Sequence, residues 1–118
     1  MTKITVVLLA DVETHEDMGR AANAFELVKE AKQGSNDVEL ILDGAATRWA
    51  RELSKPDHKM RELFNAVRDK VAGVCEYCAG AFGVKEAVRA AGLPLTGEFD
   101  GHPSLATRIA QGRQVVTF

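Results

Sequence analysis

Residues 71–84 read Val-Ala-Gly-Val-Cys-Glu-Tyr-Cys-Ala-Gly-Ala-Phe-Gly-Val, an apolar run that passes directly into a helix-forming run. The first four residues are typical of a buried strand. Cys75 and Cys78, the two cysteines of the chain, stand where the strand and the helix meet. Because the first amide groups of a helix lack backbone partners, they favour a thiolate, and we expect a thiol somewhat more acidic than usual.

Strand and helix patterns alternate along the rest of the chain. Apolar runs predict strands over residues 4–10, 38–42, 71–74 and 115–118, with one short strand within 95–101. Helical spacing predicts helices over 17–32, around 46–53 and 60–67, from the cysteines to residue 91, and from Pro103 to residue 110. This alternation predicts a single α/β domain over residues 1–118, a three-layer α/β/α sandwich with a mostly parallel sheet of about five strands.

Single residues predict where several helices begin and end. Thr14 and Asp17 resemble a capping box at the start of the first helix, and Gly34 is expected to end that helix. Pro56 separates the two middle helices because it cannot continue a helix, and Asp57 is a suitable N-cap for the second.

Composition argues against several classes of protein. The chain of 118 residues carries 15 basic and 17 acidic side chains, which gives no reason to expect a nucleic-acid partner or an anionic membrane surface. No apolar run approaches the ~20 residues that span a bilayer. The start resembles a signal sequence, but Asp11 and Glu13 stand where a small-residue cleavage site belongs. We therefore expect a cytoplasmic protein, in which two close cysteines are more often functional than structural.

Parallel sheets collect ligands at the carboxyl ends of their strands. The loop of residues 11–16, the turn at Asp43-Gly44, the cysteine corner and the link around His102 are expected to meet there. His15, Tyr77 and His102 are therefore candidate neighbours of the thiols. Gly44 opens a helical segment whose N–H groups are a weaker candidate for binding an anion.

Metal and cofactor chemistry has less support. A structural zinc site needs four ligands, and His15 and His102 would have to complete the one cysteine pair, so no metal is expected. No phosphate loop or dinucleotide-binding glycine motif is present, so no cofactor is expected either. A thioredoxin-like dithiol would follow an early strand, whereas this pair follows the third. Reversible disulfide formation between Cys75 and Cys78 remains open.

The sequence resembles the DsrE/DsrF-like family, the sulfur-relay and YchN-like proteins, over almost its whole length. The resemblance rests on the opening strand of residues 3–9, the strand of residues 38–43 before Gly44, the cysteine segment of residues 74–84, and the final helix and strand. It implies a compact α/β domain that assembles into homotrimers or homohexamers.

The resemblance also implies a role for the cysteines. The family's sulfur-carrying cysteine follows the third long strand, accepts sulfane sulfur as a persulfide and passes it on. Judged by its distance in sequence from Gly83-Val84, Cys75 occupies the position of that cysteine. Cys78 is an addition that single-cysteine members lack, and is either a resolving thiol or a helix residue.

Three functional hypotheses follow. The leading one is a small cytoplasmic sulfur carrier, or sulfurtransferase-like protein, that holds a persulfide on Cys75 and exchanges sulfur with donor and acceptor proteins. The second is a ring-forming binding or assembly module without chemistry of its own. The third is a redox sensor in which Cys75 and Cys78 form a disulfide.

Overall fold

Five strands form one sheet in the computed structural model, which describes residues 1–118. They are β1 (Lys3–Leu8), β2 (Asp37–Leu42), β3 (Val71–Cys75), β4 (Leu95–Thr96) and β5 (Gln114–Thr117), in the spatial order β4-β3-β2-β1-β5. Every neighbouring pair is parallel. The predicted α/β class is confirmed, and the sheet is parallel throughout.

Helices fill the connections between the strands. They are α1 (His15–Gln33), α2 (Trp49–Glu52), α3 (Arg61–Val67), α4 (Glu76–Ala81), α5 (Lys85–Ala90) and α6 (Leu105–Ala110), with short 3-10 helices at Gly44–Arg48 and Arg68–Lys70. None of them combines the length and the apolar character that crossing a bilayer requires.

The strand order determines which face each helix covers. The chain adds β2, β3 and β4 in one direction and then returns to place β5 beside β1. Right-handed crossovers put helices on one face during the outward steps and on the other face during the return. Accordingly α6 lies on the face opposite the main core. Arg108 of α6 donates to Glu39 of β2 (2.8 Å), whereas the next residue of β2, Leu40, faces the main core.

The main core lies between the sheet and helices α1 to α5. Alternate residues of the strands face it, as expected for a pleated sheet. Phe25 of α1 and Phe64 of α3 pack with ring centroids 5.4 Å apart. Trp49 is fully buried and donates its indole N–H to the carbonyl of Ala10 (3.0 Å). This packing holds the carboxyl ends of β1, β2 and β3 in fixed positions.

The predicted ends of the first helix are confirmed. Thr14 is the N-cap of α1: its hydroxyl accepts from the Asp17 N–H (3.0 Å), and the Asp17 carboxylate accepts from the Thr14 N–H (3.1 Å). Gly34 is the C-cap, and its N–H donates to Glu30.

The prediction of one helix from the cysteines to residue 91 is wrong. The segment is divided into α4 and α5, and Gly83 between them has φ of +69°. That left-handed conformation reverses the chain at low cost only for glycine. It brings Val84 and Val88 into the core, where both are buried.

Two predicted helix starts are also wrong. Asp57 does not cap a helix, because α3 begins at Arg61 after Met60. Pro103 precedes α6, since the hydroxyl of Ser104 accepts from the Thr107 N–H (3.2 Å) and makes Ser104 the N-cap. In the second case a side-chain cap one residue further on determines the boundary.

Candidate functional site

The corner between β3 and α4 places both thiols at the carboxyl end of the sheet. Cys75 is the last residue of β3 and the N-cap of α4, and its sulfur accepts from the N–H of Cys78 (3.4 Å). Cys78 lies in the first turn of α4. Cys75 has no exposed surface, whereas Cys78 is partly exposed. Both cysteines are free thiols.

Four donor side chains converge at this corner and form what we call the thiol cluster: Asp43, Cys75, Cys78 and His102. Their donor atoms all lie within 4.8 Å of one another. The Cys75 Sγ lies 3.3 Å from His102 Nδ1, and the Cys78 thiol donates to Asp43 Oδ1 (3.5 Å). Asp43 follows β2, the neighbour of β3, so adjacent strand ends bring the carboxylate to the sulfurs.

Burial makes the Cys75 thiol less acidic than usual. Loss of hydration raises the pKa of Cys75 to about 12, and the nearby Asp43 carboxylate acts in the same direction. The hydrogen bond from the Cys78 N–H lowers this pKa but does not offset burial. The expectation of a more acidic thiol is therefore wrong, and the resting Cys75 side chain is a neutral thiol.

Residues 97–102 form a covering segment over Cys75. The N–H of Tyr77 donates to the carbonyl of Gly101 (2.9 Å), which lies 3.8 Å from the Cys75 sulfur. Phe99 and His102 exchange backbone hydrogen bonds, and the ring of Tyr77 lies 4.9 Å from the ring of His102. The segment therefore both shields the thiol and positions the imidazole beside it.

Close packing against α4 explains the glycines of the covering segment. A Cβ on Gly97 would lie 2.8 Å from Glu76 Oε2 and 3.2 Å from Gly101 Cα. Gly101 has φ of +83°, and a Cβ there would lie 3.3 Å from the Tyr77 Cβ. Larger residues at these positions would lift the segment from the thiol cluster.

An ion pair attaches the covering segment to α6. Glu98 accepts from Arg108 Nη1 (2.7 Å) and from the Ser104 N–H (2.9 Å), and these bonds lower the pKa of Glu98. The Arg108 side chain is only 11% exposed and also binds Glu39. The covering segment is therefore held at both ends, by α4 and by α6.

The remaining predicted site residues lie outside the thiol cluster. His15 is exposed at the start of α1 and contributes no donor atom to the cluster. Gly44 has φ of +56°, and its N–H donates to Asp43 Oδ1 (2.8 Å), so the Asp43 carboxylate already binds that amide. The loop of residues 11–16 binds Arg48 through Asp11 (2.8 Å) and Glu13 (2.9 Å).

The sequence profile of the DsrE/DsrF-like family matches residues 3–118. The chain belongs to the DsrE/DsrF-like family. This membership suggests a role in sulfur relay. Uncharacterized protein MJ0733 of Methanocaldococcus jannaschii, a relative, is 34% identical over 87 residues, which are 74% of this chain and 70% of that protein.

Two solved structures share the fold of this DsrE/DsrF-like protein. The ychN protein from E. coli aligns over 100% of both chains with a TM-score of 0.59 and 21% identity. A conserved protein of unknown function, BT1422 from Bacteroides thetaiotaomicron, covers 97% of this chain and 94% of its own with a TM-score of 0.60 and 15% identity. These likenesses establish the architecture.

Asp43 is the member of the thiol cluster that sequence reasoning did not name as a site residue, although the turn that contains it was expected at the site. The signal that identifies it is its position directly after β2, one strand from Cys75. An acidic residue that follows an apolar strand and precedes a glycine is read first as a turn residue.

Proposed function

We propose that this DsrE/DsrF-like protein is a sulfur carrier in which Cys75 holds sulfane sulfur as a persulfide and His102 receives the proton of the Cys75 thiol. The observation that carries the proposal is the 3.3 Å separation between Cys75 Sγ and His102 Nδ1. A base at hydrogen-bonding distance activates a thiol at the moment of attack, so the resting thiol can stay neutral. Nδ1 accepts this proton when the other ring nitrogen, Nε2, carries the imidazole hydrogen.

Loading is a sulfur transfer that needs no external oxidant. With thiosulfate as the donor, the Cys75 sulfur attacks the outer sulfur, the bond between the two thiosulfate sulfurs breaks, and sulfite leaves with its electron pair. The thiol proton passes to His102 and then to the new terminal sulfur. The products are one persulfide and one sulfite for each thiol and thiosulfate consumed.

Unloading has two chemically balanced routes. A thiol of an acceptor protein attacks the terminal sulfur, becomes a persulfide itself and regenerates the Cys75 thiol. Alternatively Cys78 attacks Cys75 at its inner sulfur, which forms a disulfide and releases hydrogen sulfide. The second route is supported by the two sulfurs lying within 4.8 Å of each other.

Access to Cys75 requires the covering segment to move, since the thiol has no exposed surface. Large apolar side chains lie exposed around this segment: Tyr77 is 62% and Phe99 66% exposed. They offer a surface for a sulfur donor, an acceptor or a second copy of the chain. The proposal includes the cytoplasmic location and the homotrimer or homohexamer that the family resemblance implies, and light scattering of the purified protein tests the assembly.

Intact-mass spectrometry after incubation with thiosulfate or polysulfide tests the proposal. Wild-type protein should gain one sulfur atom that reductant removes, with the added mass on Cys75. Cys75→Ser should gain none, and Cys78→Ser should hold the sulfur longer. His102→Asn should load ~10²–10⁴-fold more slowly, the usual contribution of a general base, whereas the control His15→Asn should load normally. Sulfur gain by Cys75→Ser with Cys78 intact would overturn the assignment of the carrier.

The same experiment separates the two rival hypotheses. Loss of two hydrogen atoms on mild oxidation, without any sulfur gain from donors, would favour the redox sensor. A folded protein whose thiols react with neither reagent would favour the binding module.

A further inference from the structure

We propose that the thiol cluster, Asp43, Cys75, Cys78 and His102, binds a single thiophilic divalent cation, with Zn²⁺ the best match. The inference goes beyond sulfur transfer, and it rests on the positions of the four donor atoms rather than on any reaction of Cys75.

The donor separations are close to those of a tetrahedral site. Around zinc, ligand bonds of ~2.0–2.3 Å place neighbouring donors about 3.3–3.8 Å apart. The separation between the Cys75 sulfur and the His102 nitrogen is 3.3 Å, and that between the Cys78 sulfur and the Asp43 oxygen is 3.5 Å. The longest separation in the cluster is at most 4.8 Å, so closure around an ion needs a movement of about 1 Å.

The donor types select the metal. Two thiolates and an imidazole favour zinc and similar ions, whereas magnesium and calcium prefer all-oxygen sites. The charges also favour a cation, because Asp43 lies beside both thiols and forms no ion pair with any lysine or arginine. A divalent ion would balance two of the three negative charges of the deprotonated ligands, and binding would release two thiol protons to solvent.

Backbone N–H groups and a neighbouring ring already orient three of the ligands. The N–H of Gly44 holds the Asp43 carboxylate, and the N–H of Cys78 holds the Cys75 sulfur. The ring of Tyr77 packs on His102. Partners of this kind reduce the conformational freedom that metal binding must remove, and they are a regular part of metal sites.

A bound cation and a persulfide exclude each other. Both use the sulfur of Cys75, so metal binding would withdraw the thiol from sulfur loading. Metal occupancy would therefore act as an inhibitor of the proposed carrier, which chelation should relieve.

Metal titration of the reduced, chelator-treated full-length protein tests the proposal. In competition with a chromogenic chelator, Zn²⁺ should bind at one ion per chain, and Co²⁺ should give the visible bands of tetrahedral coordination with thiolate charge transfer. Asp43→Asn and His102→Asn should each weaken Zn²⁺ binding by ~10–100-fold or more. Asparagine can still cap the turn after β2. The matched controls, Asp57→Asn and His15→Asn, change exposed residues outside the cluster and should bind as wild type.

Two outcomes would overturn the inference: no stoichiometric Zn²⁺ binding, or equal binding by wild type, Asp43→Asn and His102→Asn. Sulfur loading is measured separately in the presence of chelator, so the two proposals fail independently. Zinc binding without sulfur loading overturns only the carrier, and sulfur loading without zinc binding overturns only the metal site.

Discussion

Replacing Gly73 by alanine should displace the edge strand β4 and loosen the covering segment that follows it. Gly73 is buried in β3, and a Cβ there would overlap Thr96 Oγ1 and lie 2.6 Å from Thr96 Cβ. Non-bonded carbons meet at about 3.5–4.0 Å, so Thr96 must move by about 1 Å. Thr96 pairs directly with Cys75 and immediately precedes the covering segment.

The size of the overlap sets the expected loss of unfolding free energy. Adding a methyl group to a filled site costs ~1–3 kcal/mol. At about 4 °C per kcal/mol, the Tm of Gly73→Ala should fall by about 4–12 °C. The control Gly19→Ala adds the same methyl group within α1, where no atom lies within 4 Å of the new Cβ. That change should stabilise the protein by ~0.4–1 kcal/mol.

A double-mutant cycle tests whether the loss of stability in Gly73→Ala comes from the contact between residues 73 and 96. Thr96→Gly removes both overlapping atoms. The double variant with Gly73→Ala should therefore lose ~1–2 kcal/mol less unfolding free energy than the two single variants lose in sum. Thr96→Ser retains both atoms and should show no such rescue. Thermal unfolding by circular dichroism gives the energies, and alkylation of Cys75 followed by peptide mapping reports on the covering segment.

Because Thr96 connects the packing of β4 to the covering segment, the Tm and the protection of the Cys75 thiol must change together. A Gly73→Ala protein with wild-type Tm and a Cys75 thiol as protected as before would show that Thr96 does not face Gly73.

Three further predictions concern the thiols, the covering segment and the first helix. At about pH 8, iodoacetamide should modify Cys78 long before Cys75, because burial raises the pKa of Cys75 to about 12 and leaves about 10⁻⁴ of it as thiolate. In His102→Asn, where no imidazole assists the attack, the alkylation rate of Cys75, followed with chelator present, should rise about tenfold per pH unit, and a plateau near pH 9 would contradict this. Glu98→Gln removes the ion pair with Arg108 and should speed hydrogen exchange over residues 97–102. The pKa of Glu98 is lowered, so in wild type acid should speed exchange over the covering segment only below the ordinary glutamate range, as the pH falls through the lowered pKa. Unchanged exchange in Glu98→Gln would show that the ion pair does not hold the covering segment. Thr14→Ala should cost ~1 kcal/mol in urea unfolding by removing the N-cap, Thr14→Ser should cost much less, and equal losses would rule out the capping box.

Local patterns were sufficient to predict the sheet and the first helix. The runs that form β1 and β2 are continuous and rich in branched apolar residues, which is typical of strands buried on both faces. The capping box of Thr14 and Asp17 involves residues three apart, so its geometry is encoded locally. The break at Gly83 was missed because a glycine inside a helical pattern does not by itself mark a break, and only the core positions of Val84 and Val88 require the chain to turn there.

The candidate site could be predicted only in part. The strand-to-helix corner at Cys75 and Cys78 follows from adjacent residues. The imidazole of His102 reaches Cys75 through β4, a strand of two residues that carries almost no sequence pattern. The raised pKa of Cys75 depends on burial beneath the covering segment, which no local spacing indicates. That Asp43 belongs to the thiol cluster becomes evident only when β2 and β3 are known to be neighbours.

The position of β5 beside β1 also sets the order in which the protein can fold during synthesis. Ile4 pairs with Gln114, and Arg113 donates to Thr5 Oγ1 (2.8 Å), so the first of these five strands to be synthesised is completed by the last. Until then β1 presents an open edge while β2 and β3 assemble on its other side. Such distant pairing slows folding. A nascent chain stalled before residue 114 should therefore expose an unpaired, largely apolar strand edge, which is the kind of surface that chaperones bind and that aggregation begins from.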